Sequence, residues 1–294
     1  KKFFFNDTAT TEIYTEDASS AASDVYKRQL NITPDSFSDG GDFFSTNRAV
    51  ERGRAMVADG AGIIDIGGES SRPGAEPVTE QEELDRVIPV IEQLAPVLEV
   101  PISIDTRKPA VMRAAVNAGA GMINDINALR EPGAIEAAME TGVPVCLMHM
   151  RGTPQTMQDA PEYTDVVEEV GQFLQERILA CLAGGISRDR LLLDPGFGFG
   201  KTVVHNLQLL TQFHKLAAFG YPLLVGFSRK SMIVEVMDLY IDNRTHPGIA
   251  LAALAVWQGA HIVRSQDVRA TWQAIRMCAA VRDVLDNRDG VKVR

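Results

Sequence analysis

The chain has 294 residues, of which 45% are hydrophobic and 23% charged, and it carries a formal net charge of −10. That apolar share suffices for a large core. The negative balance argues against a general nucleic-acid or anionic-membrane surface, so an anionic ligand would need a local basic site. Cys146, Cys181 and Cys278 stand far apart with no CxxC pair, which speaks against a disulfide framework or zinc site and suits the reducing cytoplasm. No apolar run approaches the ~20 residues of a membrane span.

Residues 1–28 are rich in Thr, Ser, Asp and Ala and hold no sustained hydrophobic period. Their "FFF" is too short for the apolar stretch of a secretory signal. The segment reads as a disordered or non-native leader, as if adaptor sequence were translated ahead of a truncated gene. One domain is expected over 29–285, followed by a polar tail at 286–294.

Short apolar, β-rich runs then alternate with longer amphipathic ones, the pattern of βα units around a parallel sheet. The strand candidates are "YKRQLNIT", "GIIDIGG", "PISIDT", "GMINDI", "PVCLMHM", "RLLLDPG", "PLLVGFS" and "HIVRS". The first is odd, because a strand buried on both faces is nearly all apolar and this one holds Lys27, Arg28 and Gln29. Helix signals lie between the strands. Thr79 with Glu82 predicts a capping box, and "KPAVMRAAVNAG" closes on Gly119. The run "IALAALAVW" reads as a buried helix. The expectation is a single (β/α)8 TIM barrel with eight parallel strands; an open doubly wound sheet would be expected to bring a nucleotide fingerprint.

The sixth unit only imitates such a fingerprint. In "LLLDPGFGFGK" a GxxxxGK[ST] loop ending at Lys201-Thr202 needs glycine where Pro195 stands, and GxGxxG needs one more residue between Gly198 and Gly200. Asp194 therefore faces some other partner.

Polar residues close or follow the apolar runs throughout: Asn31, Asp65, Asp105, Asn124 with Asp125, His149, Asp194, Ser228 and Arg264. A lone aspartate there could be a helix cap, but in a barrel the strand ends meet in one mouth, and so many together point to a site. Asp105, Asn124 and Asp194 suit a flat heterocycle bearing several N–H groups. Lys230 opens the helix after the seventh strand and Arg264 ends the eighth, the region where barrels often bind phosphate.

The motifs "LNITPDSFSDGG", "IIDIGGESSRPGA", "ISIDT", "INDI", "DPGFGFGK" and "GFSRKS", in this order from about Leu30 to about Val281, resemble the dihydropteroate synthase family. The resemblance implies condensation of 6-hydroxymethyl-7,8-dihydropterin diphosphate with p-aminobenzoate, with Mg2+ as cofactor, sulfonamides as competing ligands and a homodimer. It implies that Asp194, Asp105, Asn124 and Lys230 frame the pterin, that Met148 packs on its face and that Phe199 lines the pocket edge. Asn31 would stand beside Mg2+, and Asn31 and Arg264 would hold the leaving diphosphate. Phe37, Ser71, Arg72 and Pro73 would shape the aminobenzoate pocket and Ser231 would receive its carboxylate. By the same resemblance the catalytic residues would be Asp105, Lys230 and Arg264. The family usually ends its eighth strand with Arg-x-His, both contacting the diphosphate, whereas here the run is Arg264-Ser265-Gln266; Gln266 can donate a hydrogen bond but not as a cation. Two other readings remain open on the sequence: a pterin-dependent methyltransferase domain, and a weakly active or non-catalytic pterin-binding homologue.

Overall fold

The computed structural model describes residues 25–31, 42–71, 76–157, 159–227, 233, 236 and 245–286. Strands and helices alternate: β1 (Val25–Asn31), α1 (Asp42–Ala58), β2 (Ile63–Gly67), α2 (Glu80–Leu94), β3 (Ile102–Asp105), α3 (Pro109–Asn117), β4 (Met122–Asp125), α4 (Ala134–Thr141) and β5 (Val145–Met148). The second half continues with α5 (Val166–Ala183), β6 (Leu191–Asp194), α6 (Val203–Thr211), α7 (His214–Ala217), β7 (Leu224–Gly226), α8 (Thr245–Trp257), β8 (Ile262–Arg264) and α9 (Val268–Asp286).

The strands form one sheet in the order β6-β5-β4-β3-β2-β1-β8-β7, all pairs parallel. Its two end strands meet at a single parallel bridge, Leu193 to Leu223, where Leu193 N donates to Pro222 O at 3.0 Å. The polar β1 pairs on both sides, with Lys27 opposite Ile63 of β2 and Arg264 of β8. Ladder bonds use backbone groups, so its composition does not prevent pairing. It starts at Val25, inside the stretch the sequence assigns to a leader.

Side chains of a strand alternate between two faces, and here both faces are buried. Ile64, Ile104, Ile123, Leu147, Leu193 and Val263 belong to the large core formed with the helices. Ile63, Met122, Cys146, Leu192, Leu224 and Ile262 form a separate apolar layer on the other face. One pleat further along, the same face carries Asp65, Asn124, Met148, Asp194, Gly226 and Arg264, with Asp105 beside them on β3. An apolar plug thus supports a polar layer at the C-terminal ends of the strands.

The helices add local order. The capping box forms as the sequence predicts, Glu82 N donating to Thr79 Oγ1 at 3.2 Å and Thr79 N to Glu82 Oε2 at 2.8 Å. Gly119 sits at φ +116°, where a Cβ would also lie 2.5 Å from that of Ala95. α8 departs from its expected full burial. Ala252, Ala255 and Val256 are buried, but Leu254 is 52% and Trp257 46% exposed, because the sheet covers only one side of a helix that is apolar all round. Among the described residues no helix is long and apolar enough to cross a membrane.

Candidate functional site

Asp105 and Asp194 end β3 and β6 and Asn124 is the penultimate residue of β4; all three are buried, and Asp105 pairs in register with Asn124. Asp65 does not end its strand; it lies in the middle of β2, fully buried. Its carboxylate takes Arg264 Nη2 at 2.9 Å, and Asp105 Oδ2 takes the same nitrogen at 2.7 Å. Burial alone would lower the Arg264 pKa, but the two carboxylates hold it above its ordinary value. Asn124 Oδ1 and Ser103 Oγ are buried with no hydrogen-bond partner among the described residues. Leaving such an acceptor unmet costs about 1–3 kcal/mol, which marks this spot as one shaped for a donor.

Asn124 and Asp125 are neighbours in sequence with different jobs. Asp125 accepts from Asn127 N and Leu129 N, both at 2.7 Å. It thereby holds a turn in which Ala128 and Leu129 adopt φ of 52° and 55°, while Arg177 donates to the carbonyls of the same two residues at 2.8 and 3.1 Å. Burial pushes the Asp125 carboxyl up to about 7 against the pull of those two amides. This is a structural carboxylate under the site.

Asp194 Oδ1 accepts from Gly196 N at 2.7 Å, and its backbone oxygen accepts from His149 N at 2.9 Å. The loop after β6 needs its glycines. Gly196 and Gly200 have φ of +67° and +64°; a Cβ on the first would run into the His149 carbonyl, and on the second would lie 2.5 Å from that of Arg151. Lys201 bends back onto this loop, reaching Gly196 O at 2.9 Å and Phe199 O at 3.1 Å. Met148, in register with Asp194, clusters with Phe199, Ile126, Met150 and Met157 into an apolar wall.

A cavity of about 420 Å3 opens over Asp105 between the loops after β2 to β5, lined among others by Ser71, Glu69, Asn127 and Arg130. Sequence reasoning missed the last three. They lie beyond the strand ends, in loops that only the topology brings together. Under the β2 loop, Lys108 Nζ bridges Glu69 at 2.9 Å and the fully buried Glu83 at 2.5 Å. Arg107 joins Glu69 to Glu131. No spacing rule links these charges, which the chain draws from separate units.

Gln266 is half-buried two residues beyond Arg264. Asn31 closes β1 in register with Gly67, which in turn pairs with Asp105; of Asn31 only the backbone is described. Phe37, Arg72, Pro73, Ser228, Lys230 and Ser231 lie outside the described residues.

A cavity over Asp105, beside a buried polar layer and an apolar wall at one end of a parallel α/β sheet, is an enzyme-type site. The chain belongs to the pterin binding enzyme family, which matches residues 28–266. It is 52% identical to the dihydropteroate synthase of Escherichia coli (strain K12) over 259 residues, 88% of this chain and 92% of that protein. Among solved structures it is similar to Xanthomonas albilineans dihydropteroate synthase with 4-aminobenzoic acid, at 49% identity and a TM-score of 0.83, covering 88% of this chain and 93% of that one. It is likewise similar to Yersinia pestis dihydropteroate synthase in a sulfonamide drug complex, at 48% identity and a TM-score of 0.84, covering 90% and 98%.

Proposed function

We propose that the chain is a transferase of folate biosynthesis that condenses 6-hydroxymethyl-7,8-dihydropterin diphosphate with p-aminobenzoate, giving 7,8-dihydropteroate and diphosphate. The observation that carries this reading is the buried Asn124 Oδ1, unpartnered among the described residues and in the same polar layer as the buried carboxylates of Asp105, one strand away, and Asp194, two strands away, a match for the N–H-rich edge of an aminopyrimidine ring. Asp194, set by Gly196 N, accepts from the ring's amino group; Asp105 and Asn124 complete the frame, with Lys230 contributing from the β7–α8 connection. Met148 packs on the ring and Phe199 closes its edge.

In the reaction the C–O bond between the pterin methylene and the diphosphate breaks, a C–N bond to the arylamine forms, and the amine loses a proton. Charge develops on the leaving oxygens, and groups already aimed there lower the barrier. Arg264, whose Nη2 is held by Asp65 and Asp105, would turn its remaining N–H groups to the leaving group, Lys230 would add positive charge and Gln266 a neutral donor. Asn31, whose backbone is level in register with Gly67 and Asp105, would bring a hard amide oxygen. Mg2+ commonly takes one or two protein oxygens beside substrate phosphates, so a single amide would suit an ion carried mainly by the diphosphate. When bound, that ion would neutralise part of the departing charge. Ser71 lines the cavity and, with Phe37, Arg72 and Pro73, would enclose p-aminobenzoate, where sulfonamides would compete; Ser231 would receive its carboxylate.

The same reading takes the sheet as a closed (β/α)8 barrel in one domain, supported by the Leu193–Leu223 bridge and by burial on both faces. It takes the enzyme as a cytoplasmic homodimer, supported by three cysteines that form no disulfide with one another and by the apolar residues exposed on α8 and α9. Diphosphate release from the two substrates, with and without Mg2+, tests it. Turnover that needs both substrates is expected. Pterin binding without turnover would make the chain a non-catalytic homologue, and methyl transfer to a corrinoid acceptor would make it a methyltransferase.

A further inference from the structure

We propose that Lys201, through His149, is a positioning residue: one buried ammonium that fixes the end of β5 and the glycine loop after β6, the two segments that would contact the pterin. The inference rests on the pterin reading of the site. Lys201 is 3% exposed, and its three N–H donors meet three acceptors, His149 Nδ1 at 2.8 Å, Gly196 O at 2.9 Å and Phe199 O at 3.1 Å. One acceptor follows β5 and two lie in the loop after β6. His149 comes directly after Met148, Gly196 carries the amide that orients the Asp194 carboxylate, and Phe199 stands in the apolar wall. His149 N also donates to Asp194 O at 2.9 Å, and Tyr163 Oη to Gly200 O at 2.8 Å, so the glycine loop is tied down along its length.

The pairing also fixes the imidazole. An ammonium can only donate, so Nδ1 must accept, and the ring is neutral with its proton on Nε2. Burial, then the charge of Lys201, then Arg130 and Arg151 push the His149 pKa down to about 2, so the ring stays an acceptor across the working range of pH. In a nucleotide loop the corresponding lysine reaches out to phosphate; here the same Gly-Lys ending is turned inward to set the loop that bears it.

The test uses the full chain and substitutions at the two positions, after wild-type turnover has been measured. Absence of diphosphate release by the wild type would sink the functional reading, a result distinct from any difference between variants. Lys201→Met keeps the length and removes the donors. The KM for pterin diphosphate should rise about ten- to a hundredfold, as expected for lost hydrogen bonds from a charged group, while the KM for p-aminobenzoate stays within about twofold. A lysine serving stability alone would lower Tm and leave both KM values of the folded fraction unchanged, which would overturn the proposal. His149→Asn, whose amide oxygen can take the place of Nδ1, should keep most of the pterin affinity, whereas His149→Leu should lose it as Lys201→Met does. Equal pterin KM values for the two His149 variants would count against it. If Lys201→Met does not fold, 15N NMR of the wild-type ring still decides: Nε2–H, a bare Nδ1 and no titration between about pH 5 and 8 are expected, and a proton on Nδ1 would overturn the assignment.

Discussion

At the scale of single residues, what separates a carboxylate of the polar layer from a structural one is the pleat. Asp105 and Asp194 share a face with the apolar layer below them, whereas Asp125, next to Asn124, turns to the opposite face and serves the backbone. Replacing Asp194 by Asn keeps the shape but removes the charged acceptor, so pterin affinity should fall by about 1.5–3 kcal/mol, roughly ten- to a hundredfold. Isothermal calorimetry with a pterin ligand reads this directly, and an unchanged affinity would remove Asp194 from the site. Gln266, two residues past Arg264 and half-buried, stands where the motif resemblance leads one to expect histidine. A charged hydrogen bond is about twice as strong as a neutral one. Gln266→His should therefore raise kcat/KM roughly five- to tenfold near pH 6.5, with the gain shrinking as pH rises and imidazole loses its proton. A packing effect would show no such pH dependence.

At the scale of elements, the turn between β4 and α4 stores the clearest linkage between charge and fold. Asp125 is held at about 7 in the folded chain against an ordinary 3.8. Between those values the folded state keeps a proton that the unfolded state has released, so its contribution to stability falls as pH rises from about 4 to about 7. Asp125→Asn cannot ionise and can accept only one of the two amides. It should cost about 1–3 kcal/mol at pH 5, and the gap to wild type should narrow by pH 8. Urea midpoints of both proteins at the two pH values check this; a gap independent of pH would mean Asp125 titrates alike in both states. Such a turn was not legible in the sequence. Thr79 with Glu82 was, because a capping box lies within one helical turn. Ala128 and Leu129 carry no left-handed signal of their own, and the residues that force them there, Asp125 and Arg177, stand far apart in the chain.

At the scale of the whole molecule, the repeat of βα units was readable because each strand is a short apolar run between turn signals, and even the polar β1 pairs where its place in the order requires. Charges contributed by different units were not readable, the Lys108 bridge between Glu69 and Glu83 being the clearest case. Nor was the outer face of the last two helices, since α8 is apolar on every side and the sequence cannot say which side the sheet leaves bare. Leu254 and Trp257, one helical turn apart on α8, are about half exposed, and Met277, Val281 and Val284, at helical spacing on α9, are 68%, 48% and 52% exposed. The two helices pack together, Cys278 Sγ donating to Ala253 O at 3.2 Å, so their bare residues crowd one region of the surface. Apolar groups gathered in this way mark association surfaces, and the proposed homodimer would cover them with a second copy. Sedimentation velocity should therefore show a dimer at micromolar concentration. Met277→Glu would place an unpaired carboxylate in that contact, at a cost of several kcal/mol. Each ~1.4 kcal/mol is tenfold in Kd, so the variant should sediment as a monomer at the same concentration while keeping its far-UV circular dichroism. A wild-type monomer, or a variant that remains dimeric, would move the association surface away from α8 and α9.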